Sequence, residues 1–372
     1  MKCHGCGADL QNLHQSKIGY SEKLTNQYCL RCFKMKHYKV VIPQEITPAQ
    51  FTEQLASLLV KPNELKHRLF YYVIDIFDIE LSRNHYLETL LANEKVTILV
   101  NKVDLMPKAV KRLKLQKYFQ DLFATSPLTN YQVFLVSKNN TNSLKFLQKQ
   151  LEKQNTNEQY FIGHSNVGKS SLINALLKQN KQSENLVTAP SFHTTLNFLP
   201  VKINDYLTII DTPGLNREDA WNYYVTPNDL KYLHFQKELL QYTYQIESGQ
   251  SLIIGGLISV NFSFPAEQKI DLHYYAYQHL DIHRTKTNKS NDYLQKHQLE
   301  LHPEPQAELI NNHFLTYQPK IDVKTKRFDL SLGNLGWINV PNIPKLNITV
   351  STNINLPSRS FQNLLTVRKP LV

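Results

Sequence analysis

Long apolar runs are missing from this chain of 372 residues. A membrane-spanning helix needs roughly 18 consecutive apolar residues, and the best candidate, 252–260, is short and interrupted by Gly255 and Gly256. The first residues, Met-Lys-Cys-His-Gly-Cys, also lack the apolar core of a signal peptide. These absences argue against a membrane or secreted protein, so we expect a soluble cytoplasmic protein with no membrane partner.

Cysteine is absent after residue 32, and all four cysteines of the chain precede that point. Clustered cysteines in an intracellular chain favour metal ligation over a disulfide framework. Cys3 and Cys6 form one C-x-x-C pair, and Cys29 and Cys32 form a second. Four thiolates at this spacing are typical of a closed, structural zinc site. Disulfides or a redox dithiol are the alternative.

Acidic residues are outnumbered, with 31 Asp and Glu against 42 Lys and Arg, a formal net charge of +11. Residues 1–150 carry 21 basic against 12 acidic residues, whereas 151–220 carry 6 against 7 and 221–372 carry 15 against 12. Counterion release makes nucleic acid the usual partner of a basic protein. The alternative is a solvated surface that serves solubility. For the zinc module a different choice stays open, because it is suited to contact with RNA or with a protein.

Short apolar runs alternate with helical patterns in the middle of the chain, and this alternation predicts a doubly wound α/β sheet. Unbroken runs are typical of parallel strands covered on both faces. The runs are 70–74, 96–100, 133–136 and 160–162, and the helices are predicted at 108–119 and 143–154. Asn204-Asp205 joins runs 198–203 and 206–210 as a hairpin, so the sheet is predicted to be mixed.

Beyond about residue 220 the pattern changes to short alternating segments rich in Tyr and Asn. These segments predict an α+β or mostly β domain. The chain is long enough for two or three domains at about 150 residues each. We therefore predict a zinc module at 1–45, an α/β domain at 46–220 and a C-terminal domain at 221–372.

The segment Gly163–Ser170 fits the phosphate-binding pattern G-x-x-x-x-G-K-S, between a predicted strand and a predicted helix at 171–177. Its glycines let backbone N–H groups wrap the phosphates, and the helix N-terminus adds its positive dipole end. Lys169 is expected to reach the β- and γ-phosphates, and the Ser170 hydroxyl to ligate Mg²⁺. The predicted nucleotide contacts here are Gly163, His164, Ser165, Asn166, Val167, Gly168, Lys169, Ser170 and Ser171.

Asp211-Thr-Pro-Gly214 follows the second strand of the hairpin. Asp211 is expected to hold Mg²⁺ through a water, and the amide of Gly214 to sense the γ-phosphate. Thr195 is predicted to complete the Mg²⁺ shell with its hydroxyl, with Thr194 as the alternative. Lys169, Thr195, Asp211 and Gly214 are therefore the predicted catalytic set, together with Asn166 as argued below.

Asn101-Lys-Val-Asp104 follows another predicted strand. The Asp104 carboxylate can accept hydrogen bonds from the N1–H and 2-amino group of guanine, a donor pair that adenine lacks. Asn101 is expected to brace the loop and the Lys102 stem to cover the base plane. After the next strand, Ser137-Lys138 places a backbone N–H for guanine O6. The cofactors predicted are thus GTP or GDP with Mg²⁺.

These motifs occur in a permuted order, because the base-reading segments precede the phosphate loop. Circular permutation is tolerated where domain termini lie close together at the surface. It has a mechanical consequence: the chain leaves the nucleotide domain just after Asp211–Gly214, so the C-terminal domain follows directly from the segment that responds to the γ-phosphate.

The chain resembles the YqeH-type circularly permuted GTPases over most of its length. The resemblance rests on 3–11, 28–38, 75–78, the motifs above, Thr194-Thr195-Leu196, 252–257 and 333–337. It implies a treble-clef zinc module, GTP hydrolysis with Mg²⁺, ribosomal RNA binding and assembly of the small ribosomal subunit. It also implies that 46–220 is a GTPase domain and that the C-terminal domain at 221–372 binds RNA or the ribosome. Phe192-His193 and Lys138 depart from the family pattern, which usually has Pro-Gly and Ala there.

Leu215 follows Gly214, where a glutamine would orient the attacking water. Hydrolysis is therefore expected to be slow without an activator. In similar potassium-activated GTPases the position of Asn166 holds K⁺ beside the phosphates, so K⁺ or ribosomal particles are the predicted stimulants, and a loop-bracing asparagine is the alternative. We expect a monomeric GTPase switch. The competing reading is an RNA- or ribosome-binding scaffold with negligible turnover.

Overall fold

The computed structural model describes residues 1–371 apart from 16, 39–44, 61–67, 109, 155, 157, 181–197, 216–218, 234, 236 and 266–267. The chain forms two compact units. The first comprises Met1–Asp104 and Gln116–Arg217, and the second comprises Leu105–Leu115 and Glu218–Val372. Every helix in the described ranges is too short or too polar to span a bilayer.

The first unit is built on parallel strands. Its strands are β1 (Glu45–Ile46), β2 (Leu69–Asp75), β3 (Lys95–Asn101), β4 (Asn130–Leu135), β5 (Gln159–Ile162), β6 (Leu199–Lys202), β7 (Thr208–Asp211) and β8 (Gly214–Leu215). Six of them form one sheet in the order β4-β3-β2-β5-β7-β6, in which only β6 and β7 pair antiparallel. The predicted mixed, mostly parallel sheet with a hairpin is thus confirmed.

Helices connect these strands. The helices up to residue 179 are α1 (Leu30–Tyr38), α2 (Pro48–Val60), α3 (Ile79–Ser82), α4 (His85–Leu90), α5 (Arg112–Phe123), α6 (Thr141–Glu152) and α7 (Lys169–Gln179). All seven residues of β2 and all four of β5 are buried, as expected for strands covered on both faces. Aromatic side chains of these neighbouring strands stack in register, Phe70 on Tyr160 and Tyr71 on Phe161.

The cysteine segment belongs to the core of the first unit. Cys3, Cys29 and Met35 are buried in one apolar cluster that also contains Val73 of β2 and Leu176 of α7. The strands β1 and β8 add a short parallel pair, in which Glu45 is in register with Gly214.

The parallel topology brings five residues together, four with polar side chains and one at the start of the phosphate loop. Asp75, Asn101 and Asp211 are the last residues of β2, β3 and β7, and Ser137 and Gly163 follow β4 and β5 closely. The carboxyl ends of parallel strands meet at one edge of a sheet, where ligands of open α/β sheets bind. This edge, with β5 near its middle, carries the candidate site.

The second unit is mostly β, which confirms one of the two predicted options. Its strands are β9 (Leu240–Glu247), β10 (Gln250–Ile254), β11 (Ile258–Ser263), β12 (Lys269–Ala276), β13 (Ile282–Lys286), β14 (Ile310–Tyr317), β15 (Arg327–Ser331), β16 (Trp337–Pro341), β17 (Asn347–Ile354) and β18 (Thr366–Arg368), with helices α8 (Thr287–His297) and α9 (Ser358–Leu364). They form two five-stranded antiparallel sheets, β13-β10-β11-β17-β14 and β18-β15-β16-β12-β9.

Candidate functional site

The phosphate loop joins β5 to α7. Gly163 and Gly168 have φ of 141° and 96°, a region that favours glycine. A side chain on Gly163 would lie 2.6 Å from the Val73 carbonyl oxygen, so the loop can take this path only with glycine there. Lys169 is 6% exposed, and its Nζ donates to the carbonyl oxygens of Gly163 at 2.8 Å and His164 at 2.9 Å. Backbone amides, an ammonium and a helix N-terminus thus converge, as an anion site requires.

The loop after β3 rests directly on the phosphate loop. The Asn101 side chain is 2% exposed, and its Nδ2 donates to the carbonyl oxygen of Val167 at 2.9 Å. Lys102 has φ of 68°, and its Nζ donates to the carbonyl oxygen of Asn166 at 3.2 Å. The same Nζ forms an ion pair with Asp75 at the end of β2. Two segments that are more than 60 residues apart in sequence therefore form one loop pair.

Asp104 and the residues after β4 form the other end of this loop pair. Asp104 is half-buried, and its Oδ2 accepts a hydrogen bond from Asn139 Nδ2 at 2.9 Å. Ser137 is buried, its N–H donates to Ser143 Oγ at 3.0 Å, and its Oγ accepts from the N–H of Asn139 at 3.1 Å. The Asp104 carboxylate is thereby held beside a turn that hydrogen bonds fix in place. In this position it can accept hydrogen bonds from the edge of a base.

The Asp211 carboxylate lies at the end of β7 and is buried. Its Oδ1 accepts no hydrogen bond from any described residue. Burial raises the pKa of Asp211, and the positive charges of Arg31 and Lys169 act against that rise. A buried carboxylate oxygen that still has capacity to accept fits a water of a Mg²⁺ ion, which prefers oxygen ligands and keeps several waters. Ser170, at the start of α7, is half-buried.

Gly214 lies against the phosphate loop. A side chain on Gly214 would lie 2.6 Å from Ser165 Oγ, so only glycine fits this approach. The next residue, Leu215, binds the loop through its backbone, because its N–H donates to the Gly163 carbonyl oxygen at 3.2 Å and its carbonyl oxygen accepts from Ser165 N–H at 2.8 Å. The segment predicted to sense the γ-phosphate thus contacts the phosphate loop itself.

Arg31 brings the cysteine segment to the same edge. It lies between Cys29 and Cys32, is 1% exposed, and its Nη2 donates to Asp211 Oδ2 and, at 3.3 Å, to the Asp211 carbonyl oxygen. Burial lowers the pKa of Arg31, but the negative charges of Asp211 and of the Cys32 thiolate outweigh that effect and raise it. A buried guanidinium of this kind is stable only with such partners.

The four cysteines converge. Their Sγ atoms all lie within 4.8 Å of one another, and Cys6 Sγ is 3.7 Å from Cys29 Sγ. Zn–S bonds of 2.3 Å in a tetrahedron give S–S separations of about 3.8 Å. The backbone N–H groups of Gly5 and Cys29 donate to Cys3 Sγ at 3.4 and 3.2 Å, which favours the thiolate. The donor set and its geometry therefore fit Zn²⁺.

The predicted site residues divide into three groups. The structure brings together Asn101, Lys102, Asp104, Ser137, residues 163–171, Asp211 and Gly214 at one sheet edge. Lys138 also follows β4, but its side chain is exposed. Thr194 and Thr195, with Phe192 and His193, lie outside the described residues.

Sequence reasoning did not assign roles to Asp75, Asn139 or Arg31. Asp75 ends β2 and Asn139 follows β4, so a search for polar residues at the carboxyl end of every parallel strand would have found both. Arg31 carries no comparable signal, because its partner lies 180 residues further along the chain.

Two family models match the chain. Residues 82–221 match the RsgA GTPase model, and residues 269–360 match the model described as YqeH-like, C-terminal. The first match lies mostly in the α/β unit, and the second lies in the mostly β unit.

Similar proteins agree with both matches. YqeH of Bacillus subtilis is 29% identical over 355 residues, covering 92% of this chain and 93% of that protein. Nuclear GTP-binding protein NUG1 of Saccharomyces cerevisiae is 30% identical over 39% of this chain and 31% of its own length. Small ribosomal subunit biogenesis GTPase RsgA 1 of Vibrio vulnificus is 30% identical over 43% of this chain and 45% of its own length.

The two family models and the near full-length similarity to YqeH support the same family. The permuted motif order and the loop pair described above agree with it. A GTPase of this kind uses GTP, GDP and Mg²⁺ and hydrolyses GTP. The chain therefore belongs to the YqeH-type circularly permuted GTPases.

Proposed function

We propose that this GTPase acts in assembly of the small ribosomal subunit, switching its contact with ribosomal RNA according to the nucleotide bound. The observation that carries the nucleotide assignment is the loop pair, in which Asn101 and Lys102 bind the carbonyl oxygens of Val167 and Asn166. That contact joins a guanine-reading segment to a phosphate loop across the permutation. Zn²⁺ on the four cysteines is a structural part of the same unit.

The base is read by the residues after β3 and β4. Asp104 accepts two hydrogen bonds from guanine, and Asn139 fixes the orientation of its carboxylate. The backbone N–H of Lys138 meets guanine O6, while the Lys102 stem covers the base plane. Asp75 holds the Lys102 ammonium. Adenine would leave Asp104 without its donors, so ATP is rejected.

The phosphates are held by the residues of the loop and of α7. The amides of residues 164–171 surround the β- and γ-phosphates, and Lys169 neutralises their charge. Ser170, Thr195 and Asp211 are the proposed holders of Mg²⁺, which when bound offsets the negative charge that develops on the phosphate oxygens. Gly214 places its amide toward the γ-phosphate, next to Ser165.

Leu215 limits the chemistry of the site. It is 2% exposed and both of its backbone polar groups bind the phosphate loop. An apolar side chain cannot orient the attacking water, so hydrolysis is slow until another group supplies charge and orientation. Asn166, whose side chain is exposed at φ of 64°, is the proposed ligand of K⁺ beside the phosphates.

Potassium dependence tests this role of Asn166. We expect GTP hydrolysis to be roughly tenfold faster in K⁺ than in Na⁺, because a cation beside the phosphates replaces part of the charge that an arginine finger supplies. Asn166→Gly, which suits a positive φ, should abolish the difference between the two salts. Phosphate release in matched KCl and NaCl is the measurement. Equal rates of the wild type in both salts would contradict the potassium site.

The ribosomal assignment rests on charge and on similar proteins. The front of the chain is basic, and Lys34 and Lys36 lie beside Tyr38 and Tyr28 on the exposed face of the zinc module. Lysines next to aromatic rings suit RNA, which offers both phosphates and stacking faces. The similar protein of Vibrio vulnificus is a small ribosomal subunit biogenesis GTPase.

Coupling between nucleotide and partner follows from chain order. The longer segment of the second unit begins at Glu218, three residues after β8 ends at Leu215. A displacement of Gly214–Leu215 on loss of the γ-phosphate is therefore passed to the start of the C-terminal domain. We further propose domain limits of 1–45, 46–220 and 221–372, a treble-clef form for the zinc module, a cytoplasmic location and a monomeric state.

Co-sedimentation with small ribosomal subunits tests the proposal. Wild-type protein should pellet with subunits more strongly with a non-hydrolysable GTP analogue than with GDP. Lys169→Ala should lose GTP affinity by roughly 10- to 100-fold, since a charged hydrogen-bonding partner of the phosphates is removed, and with it the nucleotide dependence of pelleting. Lys178→Ala, at an exposed position of the same helix, is the matched control and should behave as wild type.

Two outcomes would count against this function. If wild type pelleted equally with both nucleotides, no switch would exist. If single-turnover GTP hydrolysis were negligible with and without subunits, the scaffold alternative would hold instead.

A further inference from the structure

The zinc module contributes a side chain to the nucleotide site. Arg31 lies between the zinc ligands Cys29 and Cys32, and its guanidinium donates to the carboxylate and to the carbonyl oxygen of Asp211. Both side chains are buried, at 0% and 2% exposed. Surface ion pairs contribute little to stability, but this pair is buried. Removal of one partner would leave the other as an unpaired buried charge.

The position of Arg31 is tied to the metal. It is the second residue between two of the four clustered cysteines, so coordination of Cys29 and Cys32 by Zn²⁺ would fix its backbone. Four thiolates and one Zn²⁺ together carry a formal charge of −2, which would favour a guanidinium beside them. Arg31 is thus adjacent in sequence to the cysteine cluster and is paired through its guanidinium with Asp211.

The two oxygens of the Asp211 carboxylate have different partners. Oδ2 accepts from Arg31, whereas Oδ1 has no hydrogen-bond donor among the described residues. A carboxylate fixed through one oxygen presents the other in a defined direction. That second oxygen is the one available to a Mg²⁺-bound water.

We propose that Arg31 is a positioning residue of the GTPase site, which fixes the Asp211 carboxylate for Mg²⁺ and makes the zinc module part of the Mg²⁺ response. This inference rests on the proposed function of Asp211. It does not make Arg31 a catalytic residue, since Arg31 acts through Asp211.

A second contact supports the same link. The backbone of Glu45–Ile46, at the C-terminal boundary of the zinc module, pairs in parallel with Gly214–Leu215. The N-terminal segment therefore binds the Asp211–Leu215 segment at its first residue through a side chain and at its last two residues through the backbone.

The test is a Mg²⁺ titration of nucleotide binding, with fluorescent methylanthraniloyl-GDP and -GTP as probes. Arg31→Ala should raise the Mg²⁺ concentration at half-maximal binding about tenfold, a coupling within the usual range for contacting residues. Affinity measured in EDTA should change much less, because Asp211 acts only through Mg²⁺. Arg31→Lys keeps the charge but not the forked geometry, so it should raise the midpoint by roughly threefold and serves if Arg31→Ala does not fold.

A double-mutant cycle identifies the route of the effect. If Arg31 acts through Asp211, then Arg31→Ala combined with Asp211→Asn should have the Mg²⁺ midpoint of Asp211→Asn alone. Lys23→Ala removes a positive charge from an exposed position of the same module and should leave the midpoint unchanged.

Three results would overturn the inference: an unchanged midpoint in Arg31→Ala, a lowered midpoint, which would mean that Arg31 competes with Mg²⁺, or additive effects in the cycle. Each of these requires that wild type binds the probes. Failure of wild type to bind them would instead contradict the proposed nucleotide site.

Discussion

Asp104→Asn is expected to weaken GTP binding by roughly 10³-fold, because a site built to accept two hydrogen bonds then presents one donor and one acceptor. Xanthine has an N1–H donor and a 2-oxo acceptor, which match an asparagine amide. The same variant should therefore bind xanthosine triphosphate better than GTP. Competition of both nucleotides against a fluorescent GDP analogue measures the change of preference.

The structure supplies the control for this experiment. Asp121 is an exposed acidic residue of α5, and Asp121→Asn makes the same chemical change away from the site. It should leave the preference for guanine intact. If Asp104→Asn also retained that preference, or if wild type bound ATP as tightly as GTP, Asp104 would not read the base.

Cys29→Ser is expected to remove the zinc ion and to destabilise the first unit by at least about 3 kcal/mol, since structural zinc contributes its binding free energy to folding. The effect should extend beyond the cysteine segment, because Cys29 shares a core with Val73 and Leu176. Zinc content by mass spectrometry and the Tm of the purified protein are the measurements.

A buried residue of the same module that is not a ligand provides the comparison. Ser21 is 2% exposed and its hydroxyl donates to the Lys23 carbonyl oxygen. Ser21→Ala should keep one zinc ion per chain and lose no more than about 1–2 kcal/mol. A Cys29→Ser protein that retained stoichiometric zinc would contradict the four-thiolate site.

The sheet of the first unit was predictable because buried parallel strands leave a strong sequence signal. The apolar run 70–74 became β2, whose seven residues are all buried, and 160–162 became β5. The turn at Asn204-Asp205 gave the antiparallel hairpin, since its residue types suit a tight turn between two apolar runs.

Helix boundaries were less well predicted, because local capping and turns decide them. The helix expected at 143–154 spans Thr141–Glu152, since Asn140 caps it by accepting from Ser143 N–H. The helix expected at 108–119 spans Arg112–Phe123, because a turn closed by the N–H of Val110 and the carbonyl oxygen of Pro107 precedes it.

Motifs predicted the local chemistry of the candidate site, and topology brought the motifs together. Asn101 ends β3, and Val167, 66 residues later, lies in the loop that follows β5. Both strands end at the same edge of the sheet. The contact of Arg31 with Asp211 follows from neither source. It depends on how the cysteine segment packs on the sheet, and a sequence pattern carries no information on packing across 180 residues.

The backbone of Leu215 is held by the phosphate loop on one side, and the strand it shares with Gly214 is held by Glu45–Ile46 on the other. The segment is therefore hydrogen-bonded on both sides and is not a free hinge. A shift of this segment would have to break hydrogen bonds to one neighbour or move that neighbour with it, so we expect any such shift to exchange partners in one step.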